Sequence, residues 1–369
     1  MQGGNGGGGL RSVQVPSAVG FRLGKAVNDE RGRVLLAVGT TITPGLSDAL
    51  ARRGYAHVYI LDGIADDAEP KDVLTERTRA LAVQTARHCF RHIERGETLP
   101  LKAVQEAVDA ILADLQQAGN AALEFATLRS VSDYTFVHSV NVCVYSLLIG
   151  HAIGIVGEDL RALGAGALLH DVGKILCADL CAKGGPLSPD DWARIRQHPI
   201  DGFEMLRQHR ELHLFVAHIA FQHHERMDGS GYPRGLRGNK ILPLARIVAV
   251  GDVYDAMTAE RPYAACRPPH EALAVVRSGA GMLFDTEVVR VFLQRVAIYP
   301  VGTPVLLADS TIGVVVNQGT TPGEPVVRLL GRAGEVYHTP IHVPATGKNA
   351  VVQVLGQWPK WLQQSGRSL

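Results

Sequence analysis

Imidazoles and carboxylates recur in five short stretches of this chain. His138 lies in "DYTFVHSVNV" and His198 in "RQHPIDG". "LLHDVGK" supplies His170 and Asp171, with Lys174 three residues on. "HHERMDGSGYP" begins with His223, His224 and Glu225, and "AVGDVYDAMTAERPY" carries Asp252, Asp255 and Arg261. Mixed imidazole and carboxylate ligands suit iron, manganese, zinc or nickel better than calcium or a bare magnesium site. Neighbouring residues on a helix point about 100° apart, because 3.6 residues make a turn. The pairs His170–Asp171 and His223–His224 therefore do not chelate one ion from one helix face; at helix ends they can serve two ions or bridge them. An isolated histidine in a helix is usually packed or solvated, and His151, His213 and His218 are read that way. So are His88 and His92, four residues apart with no third ligand close in sequence.

The elements that must position these residues are helical. From 120 to 298 the pattern is almost wholly helix with polar loops, and 73–118 shows apolar spacings of three and four. Ser139–Gly157 contains no Asp, Glu, Lys or Arg. Its apolar run is interrupted, so a buried core helix is expected rather than a membrane span. Residues 13–62 read as short strands, a turn at Pro44–Gly45, a short helix and another strand. After Pro300, Val-rich runs between turns predict a small β-rich unit to about 356, and the final "QWPKWLQQSGRSL" is expected to be loose.

The boundaries expected are a disordered glycine-rich start (1–12), a small α+β regulatory unit (13–65), a helical linker (66–119), an all-helical core (120–299) and a β-rich extension (300–369). The fold class is thus mainly α, with a small α+β unit before the core and a small β-rich tail after it. With 46% apolar residues the chain can bury a large core. Its formal net charge of +1 argues against general polyanion binding, so DNA and RNA are not expected partners. Five cysteines without a CxxC pair predict reduced thiols rather than a disulfide scaffold, and a cytoplasmic location. Cys177 and Cys181 lie near the ligand set in sequence, with little support for a zinc role.

The stretches "LLHDVGK", "HHERMDGSGYPRGLRG" and "ARIVAVGDVYDAMTAERPY" closely resemble the HD-GYP family of the HD superfamily of metal-dependent phosphohydrolases, over about 125–298. The resemblance implies an all-helical domain that hydrolyses the bacterial messenger cyclic di-GMP, opening the ring to linear pGpG and cutting in some cases to GMP. Carried over by position, His138, His170, Asp171 and Asp252 hold one metal. Asp171 bridges to a second held by His198, His223 and His224. The ions expected are iron or manganese, with nickel, magnesium or zinc as alternatives. A pair of ions about 3.5–4 Å apart activates a bridging hydroxide and clamps the attacking and leaving oxygens.

Lys174 is expected to neutralise charge on the phosphoryl group, and Arg261 to bind a phosphate through both guanidinium arms. "DGSGYP", with Tyr232, is read as shaping the pocket rim or a partner surface. Glu225 is expected either to orient His223 or His224 or to make a helix-end salt bridge. Asp255 is divided between orienting a ligand and a structural role. Family members with a third metal carry a glutamate where this chain has Tyr134 beside Asp133, so two metals are expected. After "RPY" the chain reads Ala264–Ala265, where many relatives carry a basic residue, which predicts weaker substrate affinity.

Three functions compete on the sequence alone: a cyclic di-GMP phosphodiesterase, an HD hydrolase of another nucleotide, and a non-catalytic receptor or scaffold for diguanylate cyclase (GGDEF-type) domains. A homodimer through the helical linker is a further expectation.

Overall fold

The structure is a computed structural model describing residues 11–28, 33–53, 55, 57–61, 72–119, 134–181, 183, 185–259, 267–319, 321, 323–355, 359 and 362. The glycine-rich start, Asp133, and the stretch with Arg261, Ala264, Ala265 and Cys266 lie outside these residues. The chain divides into two compact units, one gathering 74–119 and 133–295, the other 1–73, 120–132 and 296–369.

The chain begins with β1 (Arg11–Gln14), β2 (Arg22–Leu23), β3 (Val27–Asn28), β4 (Val34–Leu36), α1 (Pro44–Arg52) and β5 (His57–Leu61). β5 runs between β1 and β2, antiparallel to both, and β3 pairs with β4. Alternation along β5 sends Val58 and Ile60 inward, against Val15, Leu23, Ile42 and Leu50. The turn expected at Pro44–Gly45 is instead the start of α1. Thr43 accepts a hydrogen bond from the Leu46 amide at 3.2 Å, and Pro44, with its φ preset, occupies the first helical turn.

In the helical unit, α2 (Glu76–Glu94) and α3 (Leu101–Ala118) come from the stretch expected to act as a linker. Each has one buried stripe, Ala82, Ala86, Cys89 and Phe90 on α2, and Val104, Val108, Ile111 and Leu115 on α3. Both pack on α4 (Tyr134–Ala152) and α5 (Gly157–Leu169), so they are part of the helical core rather than a connection to it. α4 is the one described helix long and apolar enough to cross a membrane, and 78% of residues 135–152 is buried inside the protein. It is the core helix that its interrupted apolar run predicts.

A 3-10 turn (Val172–Cys177) follows α5, then α6 (Ala178–Cys181), α7 (Pro189–Ile195), α8 (His198–Leu206) and α9 (Leu214–Gln222). After the "ERMDGSGYP" loop come α10 (Pro243–Thr258), α11 (Pro269–Ser278) and α12 (Thr286–Arg295). α10 packs on α4 and α9, which brings together segments more than 90 residues apart that carry His138 and Asp252.

The C-terminal sheet contains β6 (Pro304–Leu307), β7 (Thr311–Asn317), β8 (Val326–Arg332), β9 (Glu335–Pro344) and β10 (Val351–Val354), in the antiparallel order β10-β6-β7-β8-β9. The terminal stretch expected to be loose contributes Leu362, 2% exposed, to the cluster of Ile312, Val314 and Leu330. An isolated leucine after "WPKW" gives no periodicity from which that burial could be read.

Candidate metal centre

The described residues include two groups whose donor atoms all lie within 4.8 Å of one another: Asp171, His198, His223 and His224, and His138, His170 and Asp252. All seven are residues singled out by the sequence. Five sit at helix ends or just beyond: His170 follows α5, Asp171 precedes the 3-10 turn, His198 opens α8, and His223 and His224 follow α9. His138 and Asp252 are not at helix ends. They lie within α4 and α10 and meet because those helices pack face to face.

Asp171 stands between the groups. Its Oδ2 lies 3.7 Å from His138 Nε2 and 3.5 Å from His170 Nε2. Its Oδ1 lies 3.3 Å from His198 Nε2 and 3.7 Å from His223 Nε2. Asp252 directs Oδ1 to His138 Nε2 at 3.2 Å and to His170 Nε2 at 3.8 Å, while its Oδ2 is 3.6 Å from His224 Nδ1. Gly173 makes this approach possible: a Cβ there would stand 2.0 Å from the His198 carbonyl oxygen, so only glycine lets the "HDVGK" turn press against the start of α8.

The backbone sets the imidazole tautomers. The Nδ1 of His170, His198 and His223 donates to the carbonyl three residues earlier, Ala167, Ile195 and Ala220, at 2.7, 2.7 and 2.8 Å. A carbonyl can only accept, so Nδ1 carries the proton and it is Nε2 that faces the centre, where a ligating ring offers its lone pair. His138 Nδ1 donates to Asp255 Oδ2 at 2.8 Å, and Asp255 is fixed in turn by Asn141 Nδ2 at 2.8 Å. Asp255 therefore fixes the orientation of the His138 ring.

This arrangement fits cations. His198 and His223 face each other Nε2 to Nε2 at 3.2 Å, two lone pairs opposed, beside an ionised carboxylate. His170 Nε2 and Asp171 Oδ1 are buried without a hydrogen-bond partner. Burial would raise the Asp171 carboxyl, yet His170, Lys174, His198 and His223 hold it well below the usual carboxylate range. Asp252 is likewise held low against its burial by His138, His170 and His224. Burial, only partly offset by Asp171, pushes His223 down to about 4, and burial with the neighbouring His223 pushes His224 well down. Neutral imidazoles around ionised carboxylates are the protonation states that metal ligation requires.

Lys174 reaches Asp171 Oδ2 at 2.5 Å, three residues along the 3-10 turn. The Tyr232 ring stacks on His224 with centroids 4.6 Å apart, and the Arg196 guanidinium lies 5.1 Å from the Tyr232 centroid. Glu225 takes neither expected role. Its oxygens accept the backbone amides of Arg234 and Leu236, each at 2.8 Å, so it ties down the glycine-rich loop. Gly231 fits under that loop because a Cβ would come within 2.4 Å of the His224 carbonyl oxygen. His151, His213 and His218 take no part in the two groups: His151 is exposed, His213 caps α9 and His218 packs on Phe203. His88 and His92 form an exposed to half-buried pair on α2.

The sequence reading missed Asn141, Gln222 and Arg196. Asn141 is three residues after His138, the spacing that puts two residues on one helix face. Gln222 accepts the Leu242 amide at 2.8 Å and fastens the start of α10, a backbone pairing with no sequence signature.

An all-helical unit with histidines and aspartates gathered into two adjoining groups defines an HD-type domain. Residues 130–288 match the HD domain family model. A cyclic di-GMP phosphodiesterase of Pseudomonas aeruginosa is 36% identical over 278 residues, covering 75% of this chain and 66% of that protein. One of Thermotoga maritima is 33% identical over 241 residues, 62% of this chain and 65% of that protein. The 3′3′-cGAMP-specific phosphodiesterase 3 of Vibrio cholerae is 36% identical over 157 residues, 42% of this chain and 34% of that protein. These matches span between a third and two thirds of each relative's length. Among solved structures, an HD-GYP protein from Bdellovibrio bacteriovorus aligns with a TM-score of 0.47 at 21% identity, over 77% of this chain and 98% of that one. The match places residues 130–288 in the HD domain family.

Proposed function

We propose that the chain is a cyclic dinucleotide phosphodiesterase that uses two divalent ions, preferably iron or manganese, to open cyclic di-GMP to linear pGpG. The observation that carries this reading is the Asp171 carboxylate, one oxygen facing His138 and His170 and the other His198 and His223. His138, His170, Asp171 and Asp252 would hold one ion, and Asp171, His198, His223 and His224 the other. When bound, such a pair would supply Lewis acidity toward the phosphodiester and would make water acidic enough to attack it at neutral pH.

The chain's own groups do the rest. Asp255 keeps His138 in the ligating tautomer, and three helix-end carbonyls do the same for His170, His198 and His223. Lys174 can turn from Asp171 to a phosphoryl oxygen, where charge builds up during cleavage. Arg261 is assigned a bidentate phosphate contact, and Tyr232 a place at the rim of the site. The helical unit is the catalytic part, and the N-terminal α+β unit regulates it. The chain acts in the cytoplasm as a homodimer, and the "DGSGYP" loop offers a docking surface for GGDEF-type domains.

Relatives named for cyclic di-GMP favour that substrate, while the relative named for 3′3′-cGAMP keeps a mixed cyclic dinucleotide in the panel. The test is hydrolysis of cyclic di-GMP, 3′3′-cGAMP and cyclic di-AMP by anaerobically metallated protein, beside Asp171→Ala. Formation of pGpG by the wild type and not by the variant supports the reading. Folded, metal-loaded protein that cleaves none of the three overturns it.

A further inference from the structure

Beside the metal centre stands a pair of thiols that the proposed chemistry does not use. Cys177 ends the 3-10 turn that carries Lys174, and Cys181 ends α6 one turn later. Their sulfurs lie 4.0 Å apart and share a hydrogen bond. Cys177 is 3% exposed and Cys181 is half-buried, so Cys181 is the more accessible of the pair.

The other two described cysteines differ. Cys89 and Cys143 are both 0% exposed, and burial pushes Cys89 up to about 12 and Cys143 well above the usual thiol range. Cys181 moves the other way. The Cys177 hydrogen bond, against burial and with help from Lys174, brings it down to about 7. Thiolates, not thiols, attack disulfides, so Cys181 is the reactive sulfur of the four.

We propose that Cys177 and Cys181 form a reversible disulfide, a redox modification site whose closure draws Lys174 away from Asp171. Two cysteines one helical turn apart are within the Cα separation a disulfide tolerates, and the sulfurs need to close by about 2 Å. Arg194 donates to both carboxylate oxygens of Asp179 on α6, at 2.9 and 3.1 Å, and to the Leu176 carbonyl at 2.9 Å. That clamp fastens α6 and the outer end of the 3-10 turn to α7. Closure is therefore taken up at the inner end of the turn, where Lys174 sits.

The oxidant is a low-molecular-weight disulfide. The Cys181 thiolate attacks one of its sulfurs, forming a mixed disulfide and releasing one small thiolate. That thiolate takes the Cys177 proton. The Cys177 sulfur then attacks Cys181 and expels the second small thiolate, which is protonated from water. The two protein sulfurs lose two electrons and the external disulfide gains them. The effect on turnover rests on the function proposed above; the disulfide itself does not.

The test uses manganese-loaded full-length protein equilibrated with mixtures of reduced and oxidised glutathione. Free thiols are alkylated, and the tryptic peptide spanning 175–183, which contains both cysteines, is weighed. As the oxidised share rises, this peptide is expected to shift to a species lighter by two hydrogens and closed to alkylation. Hydrolysis of cyclic di-GMP falls at least threefold in parallel, and a dithiol reductant restores both. Cys181→Ser keeps the reduced rate in every mixture. Both cysteines remaining alkylated throughout, or a bridged peptide with unchanged turnover, overturns the proposal. If reduced wild type cleaves no cyclic dinucleotide, the proposed function has failed, and the peptide mass still decides the disulfide.

Discussion

Asp171 and Asp255 do different work, and substitution separates them. Asp171→Asn removes the charge that both groups share, and loss of both ions is expected together with at least a hundredfold fall in turnover, read by metal analysis and hydrolysis. Asp255→Asn leaves every donor atom in place but lets the His138 ring turn. Removing such an outer partner typically costs about 10–100-fold in metal affinity, so competition with a fluorescent chelator is expected to show weaker binding of one ion and little change at the other. A pH dependence also follows in the metal-free protein. His223 is held neutral to about pH 4 when folded, against an ordinary value of 6.5. Between those values the unfolded chain binds the extra proton, so stability is full above pH 6.5 and declines as the pH falls toward 4. Thermal melts across that window should show the decline, with a shallower one in His223→Gln. The same melts would sink this account if the two slopes coincide.

Two glycines and one glutamate carry the geometry at the level of elements. Gly173→Ala would drive a methyl into the His198 carbonyl, and such overpacking costs about 1–3 kcal/mol. A lower melting temperature together with weaker binding at the His198 group is expected, because α8 must back away. Glu225→Ala leaves the Arg234 and Leu236 amides without their acceptor. Metal content is expected to be unchanged while limited proteolysis opens the glycine-rich loop; a loss of ions instead would make Glu225 a ligand-orienting residue after all.

These cases mark where sequence reading succeeded and where it stopped. The seven donors were legible because their residue types are chemically specific and their stretches are long and distinctive. Helix existence was legible from apolar spacing. The role of Glu225 was not, because its partners are backbone amides, which every residue has. Nor was the membership of α2 and α3 in the core, since an amphipathic stripe says that a face is buried and not against what. The start of α1 was misread because proline and glycine mark a turn and the first turn of a helix equally well.

For the whole molecule, the seven donor residues come from five segments that are far apart along the chain, all within the helical unit. An ion at 100 times its dissociation constant adds about 2.7 kcal/mol to the folded state. At a few degrees per kcal/mol for a domain of this size, each such ion that chelation removes should lower the helical unit's melting temperature by roughly 5–10 °C. The transition of the other unit is expected to stay where it is, so calorimetry with and without chelator should resolve two events. Each ion bound there would also act as a fastener, closing long loops of chain. Opening the helical unit would then require the ions to leave, which would tie the lifetime of the protein to the supply of metal. In a metal-starved cell the chain would be unfolded and degraded sooner, and its abundance would fall along with its activity.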